Sequence, residues 1–112
     1  MRNEVLLTVL SFALTGCATS SAGLYRTSVE TTVSSSKTSQ KFATCVAETL
    51  QGNNPLRNEG DHYWVLRMNG YGVPIIRWDF MPKLSGGSIA ELRTTLNFLS
   101  AGTTKVQACA GN

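Results

Sequence analysis

The sequence predicts an α+β domain, with a small antiparallel sheet in the order β-α-β-β-β-α and helices packed on one face. Three observations carry this prediction. Residues 24–33 alternate in the manner of a strand, residues 38–51 carry apolar side chains at helical spacing, and Asn69-Gly70 separates two apolar segments as a hairpin turn does. Residues 24–112 are expected to form this single small domain, with a modest core.

The first strand is predicted over residues 24–33, LYRTSVETTV. β-Branched residues are frequent in this segment. Tyr25 and Val29 alternate with Arg26 and Glu30, which indicates a strand with one buried side.

A helix is predicted over residues 38–51, after the serines 34–36, which offer an N-cap. One face of this helix is largely apolar. It carries Phe42, Cys45, Val46, Thr49 and Leu50. Gly52 is placed to end the helix, and residues 53–55, NNP, prevent its continuation.

Residues 56–62, LRNEGDH, are predicted to be a polar loop, and a hairpin follows it. The dipeptide Asn69-Gly70 is typical of a two-residue type I′ turn. The resulting register forms one apolar surface from three pairs: Met68 with Tyr71, Leu66 with Val73, and Trp64 with Ile75. Because Pro74 cannot donate a backbone hydrogen bond, this part of the strand is expected at a sheet edge or at a bulge. A bulge would explain the change of phase at residues 75–76.

The same strand is expected to continue through residues 77–82, and residues 85–87, SGG, form the next turn. Residues 88–98 alternate as a strand does, but Ser88 and Glu91 also resemble a helix-capping box. The strict alternation favours the strand over the helix. Residues 101–110 are predicted to form a short helix.

The N-terminal segment resembles the signal peptide and lipobox of bacterial lipoproteins. Residues 5–14, VLLTVLSFAL, are mostly apolar but too few to span a bilayer, and residues 14–17, LTGC, match the lipobox. In that family the chain is cleaved before the cysteine, which carries diacylglycerol and usually an acyl chain such as palmitate. The resemblance implies a signal peptide at residues 1–16, a lipidated Cys17, and a tether over residues 17–23. The alternative is a plain secreted protein with an incidental cysteine.

The residue after Cys17 is Ala18. In the lipoprotein family an aspartate at this position commonly marks retention at the inner membrane. If the host is Gram-negative, the resemblance therefore implies an outer-membrane protein that faces the periplasm and contacts the membrane through its lipid. The sequence does not identify the host. The sequence indicates no oligomeric state.

Export would place Cys45 and Cys109 in an oxidising compartment. With Cys17 lipidated, these two have one intramolecular connectivity, so we expect a Cys45–Cys109 disulfide. Two buried thiols or a metal pair are the alternatives. The spacing matches no zinc motif, and the single histidine, His62, is distant from both in sequence.

The predicted domain also resembles small uncharacterised lipoproteins of proteobacteria. The resemblance depends on the helix KFATCVAETL at 41–50, the Asn69-Gly70 hairpin, the Gly86-Gly87 turn and the terminal VQAC at 106–109. It covers most of the chain after Cys17 and implies no known activity.

Catalytic and nucleotide-binding motifs are not found in the sequence. No serine lies in a GxSxG motif, and Gly70-Tyr71-Gly72 does not precede a predicted helix, so we expect no cofactor and no enzyme activity. The net charge of +3, without a basic run, argues against nucleic acid as a partner.

Two clusters of titratable residues have alternative interpretations. His62 lies beside Glu59 and Asp61 and could bind a metal weakly, but without further ligands we expect a solvated loop and no metal. A second cluster is a possible acid pair across the second hairpin, and its neighbouring arginines could neutralise it. It consists of Asp79 and Glu91 with Arg77 and Arg93.

Aromatic residues are concentrated around the first hairpin. They could be core residues or exposed anchors for a partner. The candidate partner-binding residues are Tyr63, Tyr71, Gly72, Pro74 and Trp78. The sequence thus predicts a non-catalytic lipoprotein that binds another envelope protein. The alternative is a periplasmic inhibitor or a lipoprotein that binds a small ligand or glycan.

Overall fold

The structure is a computed structural model and describes residues 21–50, 55–95 and 102–111. These residues form a five-stranded antiparallel sheet and three helices. In chain order the elements are α1 (Ser21–Tyr25), β1 (Thr31–Ser35), α2 (Ser39–Thr49), β2 (Leu56–Glu59), β3 (His62–Met68), β4 (Pro74–Pro82), β5 (Ser88–Thr94) and α3 (Thr103–Ala110). The predicted α+β class is confirmed. The predicted signal peptide, residues 1–16, and Cys17 lie outside the described residues.

The strands are arranged in the order β1-β5-β4-β3-β2. The consecutive strands β2 to β5 form a meander, and β1 joins its far side by pairing with β5, with Val33 opposite Ala90. β4 is therefore the central strand, while β1 and β2 are the edges. This placement agrees with the near-complete burial of residues 76–80.

The main core lies between one face of the sheet and the helices α2 and α3. Phe42, Val46 and Val106 from the helices, with Trp78 and Phe80 from β4, have no exposed surface. The rings of Phe42 and Phe80 meet edge to face, with their centroids 5.0 Å apart. A disulfide between Cys45 and Cys109 links α2 to α3, as predicted.

Helix α2 begins one turn later than the serines that were expected to cap it. Thr38 is the N-cap, and its hydroxyl accepts a hydrogen bond from the backbone N–H of Lys41 at 3.2 Å. Ser35 belongs to β1, where its hydroxyl donates to the carbonyl of Ala110. The predicted stop signals at residues 52–54 lie outside the described residues.

The strand predicted over residues 24–33 is wrong in its first half. Residues 21–25 form α1, and β1 begins only at Thr31. The helix ends locally, because the hydroxyl and the N–H of Thr27 both donate to the carbonyl of Leu24. Residues 21–23, which were expected to be part of the tether, are helical in the described part of the chain.

The polar loop predicted at residues 56–62 is also wrong. Leu56–Glu59 is the edge strand β2, which pairs with β3 through a two-residue turn at Gly60-Asp61. Gly60 has a φ of 61°, as a type II′ turn requires at its first central position. All four β2 residues are exposed, so the strand has no buried face. Its sequence, LRNE, therefore lacks the alternation of buried apolar and exposed polar residues by which a strand is predicted.

The Asn69-Gly70 hairpin forms, but with a longer loop and a different register. The side-chain oxygen of Asn69 accepts hydrogen bonds from the N–H groups of Tyr71 and Val73, which closes a loop over residues 69–73. Met68 therefore pairs with Pro74, and Trp64 lies opposite Asp79 rather than Ile75. The predicted apolar surface of six side chains does not form.

The expected irregularity near Pro74 is present as a bulge and not as a sheet edge. The register shifts between Arg67 and Met68, which leaves Ile75 without a direct partner on β3. Pro74 is the first residue of the central strand, where a missing N–H is tolerated. The strand predicted over residues 88–98 is confirmed over Ser88–Thr94, and the helix predicted over residues 101–110 is confirmed over Thr103–Ala110. Residues 96–98 lie outside the described residues.

Candidate functional site

The outer face of the sheet, opposite α2 and α3, carries a cluster of charged and aromatic side chains. Because side chains alternate along a strand, Trp78 and Phe80 point into the core, while Arg77 and Asp79 point to the outer face. Asp79 is nevertheless completely buried, and Arg77 is only 5% exposed. A buried carboxylate is costly unless cations and hydrogen bonds compensate it.

The buried charge of Asp79 is compensated by His62, Arg77 and Arg93. We call these four residues the outer-face cluster. Its Oδ1 accepts hydrogen bonds from Nε2 of His62 at 2.7 Å and from Nη2 of Arg77 at 2.8 Å. Its Oδ2 accepts from Nε of Arg77 at 3.0 Å and from Nη1 of Arg93 at 3.2 Å. Both oxygens are thus engaged from three directions, which leaves no vacant position at which Asp79 could accept a proton from a substrate.

The outer-face cluster also holds helix α1 against the sheet. Nη1 of Arg77 donates to the carbonyl and the hydroxyl of Ser21 at 3.2 and 2.9 Å. The guanidinium groups of Arg77 and Arg93 lie 4.4 and 4.6 Å from the ring centroid of Tyr25, within the range of cation–π attraction. A five-residue helix is not stable alone, so these contacts explain why α1 forms here.

The possible acid pair is formed and neutralised as the sequence suggested. Asp79 on β4 lies directly opposite Glu91 on β5, and Arg93 bridges them by donating to both carboxylates. Two arginines balance two carboxylates, and among the described residues no buried polar side-chain atom lacks a hydrogen-bond partner. This arrangement of paired charges is suited to stabilising the contact between β4 and β5.

A cleft of about 560 Å³ opens beside the cluster. It is lined by Ser21, Ala22, Tyr25, Arg26, Glu59, His62, Trp64 and Arg77. The ring of His62 lies between those of Tyr25 and Trp64, at centroid distances of 5.6 and 5.4 Å. His62 is thus part of a strand and paired with Asp79, rather than placed in a solvated loop as predicted.

In the described part of the chain, no group of three or more His, Cys, Asp or Glu residues could hold a metal.

The predicted partner-binding residues do not form one surface. Tyr71 is 93% exposed at the tip of the β3–β4 loop, and Gly72 beside it is exposed. Tyr63 is half-buried against the core, and Pro74 is buried. Trp78 has no exposed surface, so its proposed role as an exposed anchor is wrong: it shares the sheet face of Val65 and Phe80, which α2 and α3 cover. Of the predicted residues, Tyr71 and Gly72 are exposed, and we call these two and the neighbouring Met68, which is also exposed, the loop tip.

None of the described helices has the length and hydropathy needed to cross a bilayer. Comparisons of the chain with protein-family models, curated proteins and solved structures find no match.

Proposed function

We propose that this protein is a lipoprotein, anchored to the outer membrane through Cys17, that binds another envelope protein and catalyses no reaction. The lipobox LTGC at residues 14–17 supports the anchor. The Cys45–Cys109 disulfide supports export, because such bonds persist in oxidising compartments.

The short distance between anchor and domain supports a role at the membrane surface. Helix α1 begins at Ser21, only four residues after Cys17. Four residues span at most about 14 Å. The proposed lipid would therefore hold the outer face, which α1 covers, near the bilayer, and a partner would be reached from the loops and edges of the sheet.

The observation that carries the binding proposal is the exposure of Tyr71. A tyrosine with 93% of its surface in water gains no stability for its own fold, whereas aromatic side chains contribute strongly when a partner buries them. Met68, at the end of β3, is 39% exposed and adds apolar surface next to the same loop. The loop itself is held in shape by the side chain of Asn69.

Changing Cys17 to serine is expected to release the protein from the membrane, since the serine hydroxyl cannot replace the thiol that receives the lipid. In a detergent phase-separation assay, the wild-type protein should enter the detergent phase and the variant the aqueous phase. A wild-type protein that stays in the aqueous phase would contradict the anchor.

Changing Tyr71 to alanine is expected to reduce the recovery of a crosslinked envelope partner by about tenfold or more, as hot-spot aromatics do. Leu84 provides a matched control, because it is a fully exposed apolar residue in the loop at the opposite end of β4. Leu84→Ala should leave recovery unchanged. Crosslinking in the native envelope followed by quantitative mass spectrometry measures both. Equal recovery from Tyr71→Ala and wild type would rule out the loop tip as the contact.

Ligand binding in the outer-face cleft is a second candidate function, favoured by the aromatic lining of that cleft. Tyr25 and Trp64 offer ring surface, and Glu59 and Arg26 offer polar groups, a combination that suits a sugar or another small polar ligand. Trp64 lies in the cleft, whereas Trp78 is buried. Titration with chitotetraose, an N-acetylated amino-sugar oligomer, should then quench the fluorescence of wild type but not of Trp64→Phe. Unchanged fluorescence of the wild type would show that this sugar does not bind beside Trp64.

A further inference from the structure

The outer edge of β2 has backbone groups that no described residue satisfies. In a hairpin closed by a two-residue turn, the residues that flank the turn exchange hydrogen bonds, and the pattern then alternates along the strands. Glu59 and Arg57 therefore bond to β3, at His62 and Trp64. Leu56 and Asn58 direct their N–H and C=O groups away from the sheet, and no other described strand pairs with that edge.

We propose that this edge is the interface of a homodimer, in which β2 pairs with β2 of a second copy in antiparallel orientation. The two-fold axis passes beside Asn58, which faces Asn58 of the second copy. At this position both strands have outward-facing backbone groups, so the two asparagines exchange two N–H···O=C bonds. The two five-stranded sheets then join into one continuous sheet.

The charges on β2 are self-complementary in this register. Pairing centred on Asn58 places Arg57 opposite Glu59 of the second copy, and the symmetry repeats this pair. The two residues share the outer face of the strand, and opposed side chains of a pair without backbone hydrogen bonds have Cβ atoms about 4.5–5.5 Å apart. Both side chains are exposed, and neither forms an ion pair with a described residue of its own chain.

The other registers of the same edge are disfavoured. Centring the pair on Leu56 places Arg57 opposite Pro55, which removes both ion pairs. Centring it on Arg57 allows backbone hydrogen bonds between Leu56 and Asn58 of the second copy, but it places two arginines face to face, which is unfavourable. Charges on an edge strand usually prevent association, but here they select one partner and one register.

The opposite edge of the sheet lacks this complementarity. Strand β1 has the sequence TTVSS and carries no charge, so no register is selected by its side chains. Its last residue, Ser35, is also tied to the end of α3 through the carbonyl of Ala110. We therefore assign the dimer to β2 alone.

Sedimentation equilibrium of the full chain, in a detergent matched to the density of the solvent, tests the dimer. The weight-average mass of the wild type should rise with concentration toward two copies. Arg57→Glu makes two Glu–Glu pairs, and Glu59→Arg makes two Arg–Arg pairs, so each should lower the association constant by about tenfold or more. The double variant, with both changes, restores two ion pairs and should restore association.

A crosslink provides a second readout that does not depend on charge. Asn58→Cys places two thiols across the proposed two-fold axis, where the Cα spacing of about 5.5 Å suits a disulfide. When the purified full chain is exposed to an oxidant, this variant should form a covalent dimer, whereas Thr32→Cys, at an exposed position on the other edge, should not. A monomer at all concentrations, a double variant as weak as the single ones, or equal crosslinking at both edges would overturn the proposal. None of these results depends on the lipid anchor or on Tyr71.

Discussion

Replacing Asp79 with alanine is expected to lower the free energy of unfolding by about 3–5 kcal/mol, the usual cost of removing one partner from a buried ion pair. The substitution leaves Arg77 and Arg93 side by side, 5% and about a tenth exposed, without the carboxylate that compensates them. It also leaves His62 without its hydrogen-bond acceptor. Urea denaturation followed by tryptophan fluorescence measures the loss, because the buried Trp78 reports on the core.

Glu91→Ala is the matched control for Asp79→Ala. The two carboxylates lie opposite each other on neighbouring strands and share Arg93, but Glu91 is a quarter exposed and makes a single ion pair. We expect Glu91→Ala to cost about 1 kcal/mol or less. Equal losses from the two variants would show that the burial of Asp79 does not determine its contribution.

The loss of Asp79 should also loosen α1 before the rest of the domain unfolds. Asp79 positions Arg77, and Arg77 in turn holds Ser21 and the ring of Tyr25. Arg26 follows the helix and is exposed, so trypsin should cleave after Arg26 faster in Asp79→Ala than in Glu91→Ala under native conditions.

Those parts of the fold that depend on local periodicity could be predicted from the sequence. The apolar stripe of α2 and the alternation in residues 88–94 identified a helix and a strand, and the cysteine count identified the disulfide. These signals lie within one element or follow from composition. They do not depend on how the elements are arranged in space.

The elements that were missed are those whose stability comes from the tertiary structure. Strand β2 is exposed on both faces, so its sequence LRNE has no alternation to detect. Helix α1 is a single turn and depends on Arg77 and Arg93, which follow it by more than fifty residues. Only the assembled sheet provides those contacts.

The candidate site depended on a register that the sequence did not determine. Asn69-Gly70 indicated a turn but not its length, and the side chain of Asn69 closes a loop over residues 69–73. That longer loop places Asp79 opposite Trp64. Trp78 is buried because α2 and α3 cover the sheet face that it shares with Val65, and the hairpin pattern did not indicate which face that would be. The relation of Asp79 to Glu91 and the two arginines could be anticipated from the second hairpin, whereas the burial of Asp79 and its contact with His62 could not.

Removing the Cys45–Cys109 disulfide is expected to lower the free energy of unfolding by about 4 kcal/mol, because the bond closes a loop with a sequence separation of 64 residues and restricts the unfolded chain. The double variant Cys45→Ala, Cys109→Ala is the suitable change, since Cys109 is only 3% exposed and a serine there would bury a hydroxyl. The slope of the urea transition should increase as well, because an unfolded chain without the crosslink exposes more surface.

Thr49→Val separates the effect of the covalent bond from the effect of its surroundings. The hydroxyl of Thr49 lies 3.6 Å from Sγ of Cys109 and donates to the carbonyl of Cys45, so it contacts both ends of the disulfide without being part of it. Valine has a similar shape and leaves the disulfide in place, and we expect a loss of about 1 kcal/mol or less with an unchanged slope. If Thr49→Val and the double cysteine variant reduced stability equally, local packing between α2 and α3 would account for the effect, and the crosslink would contribute little.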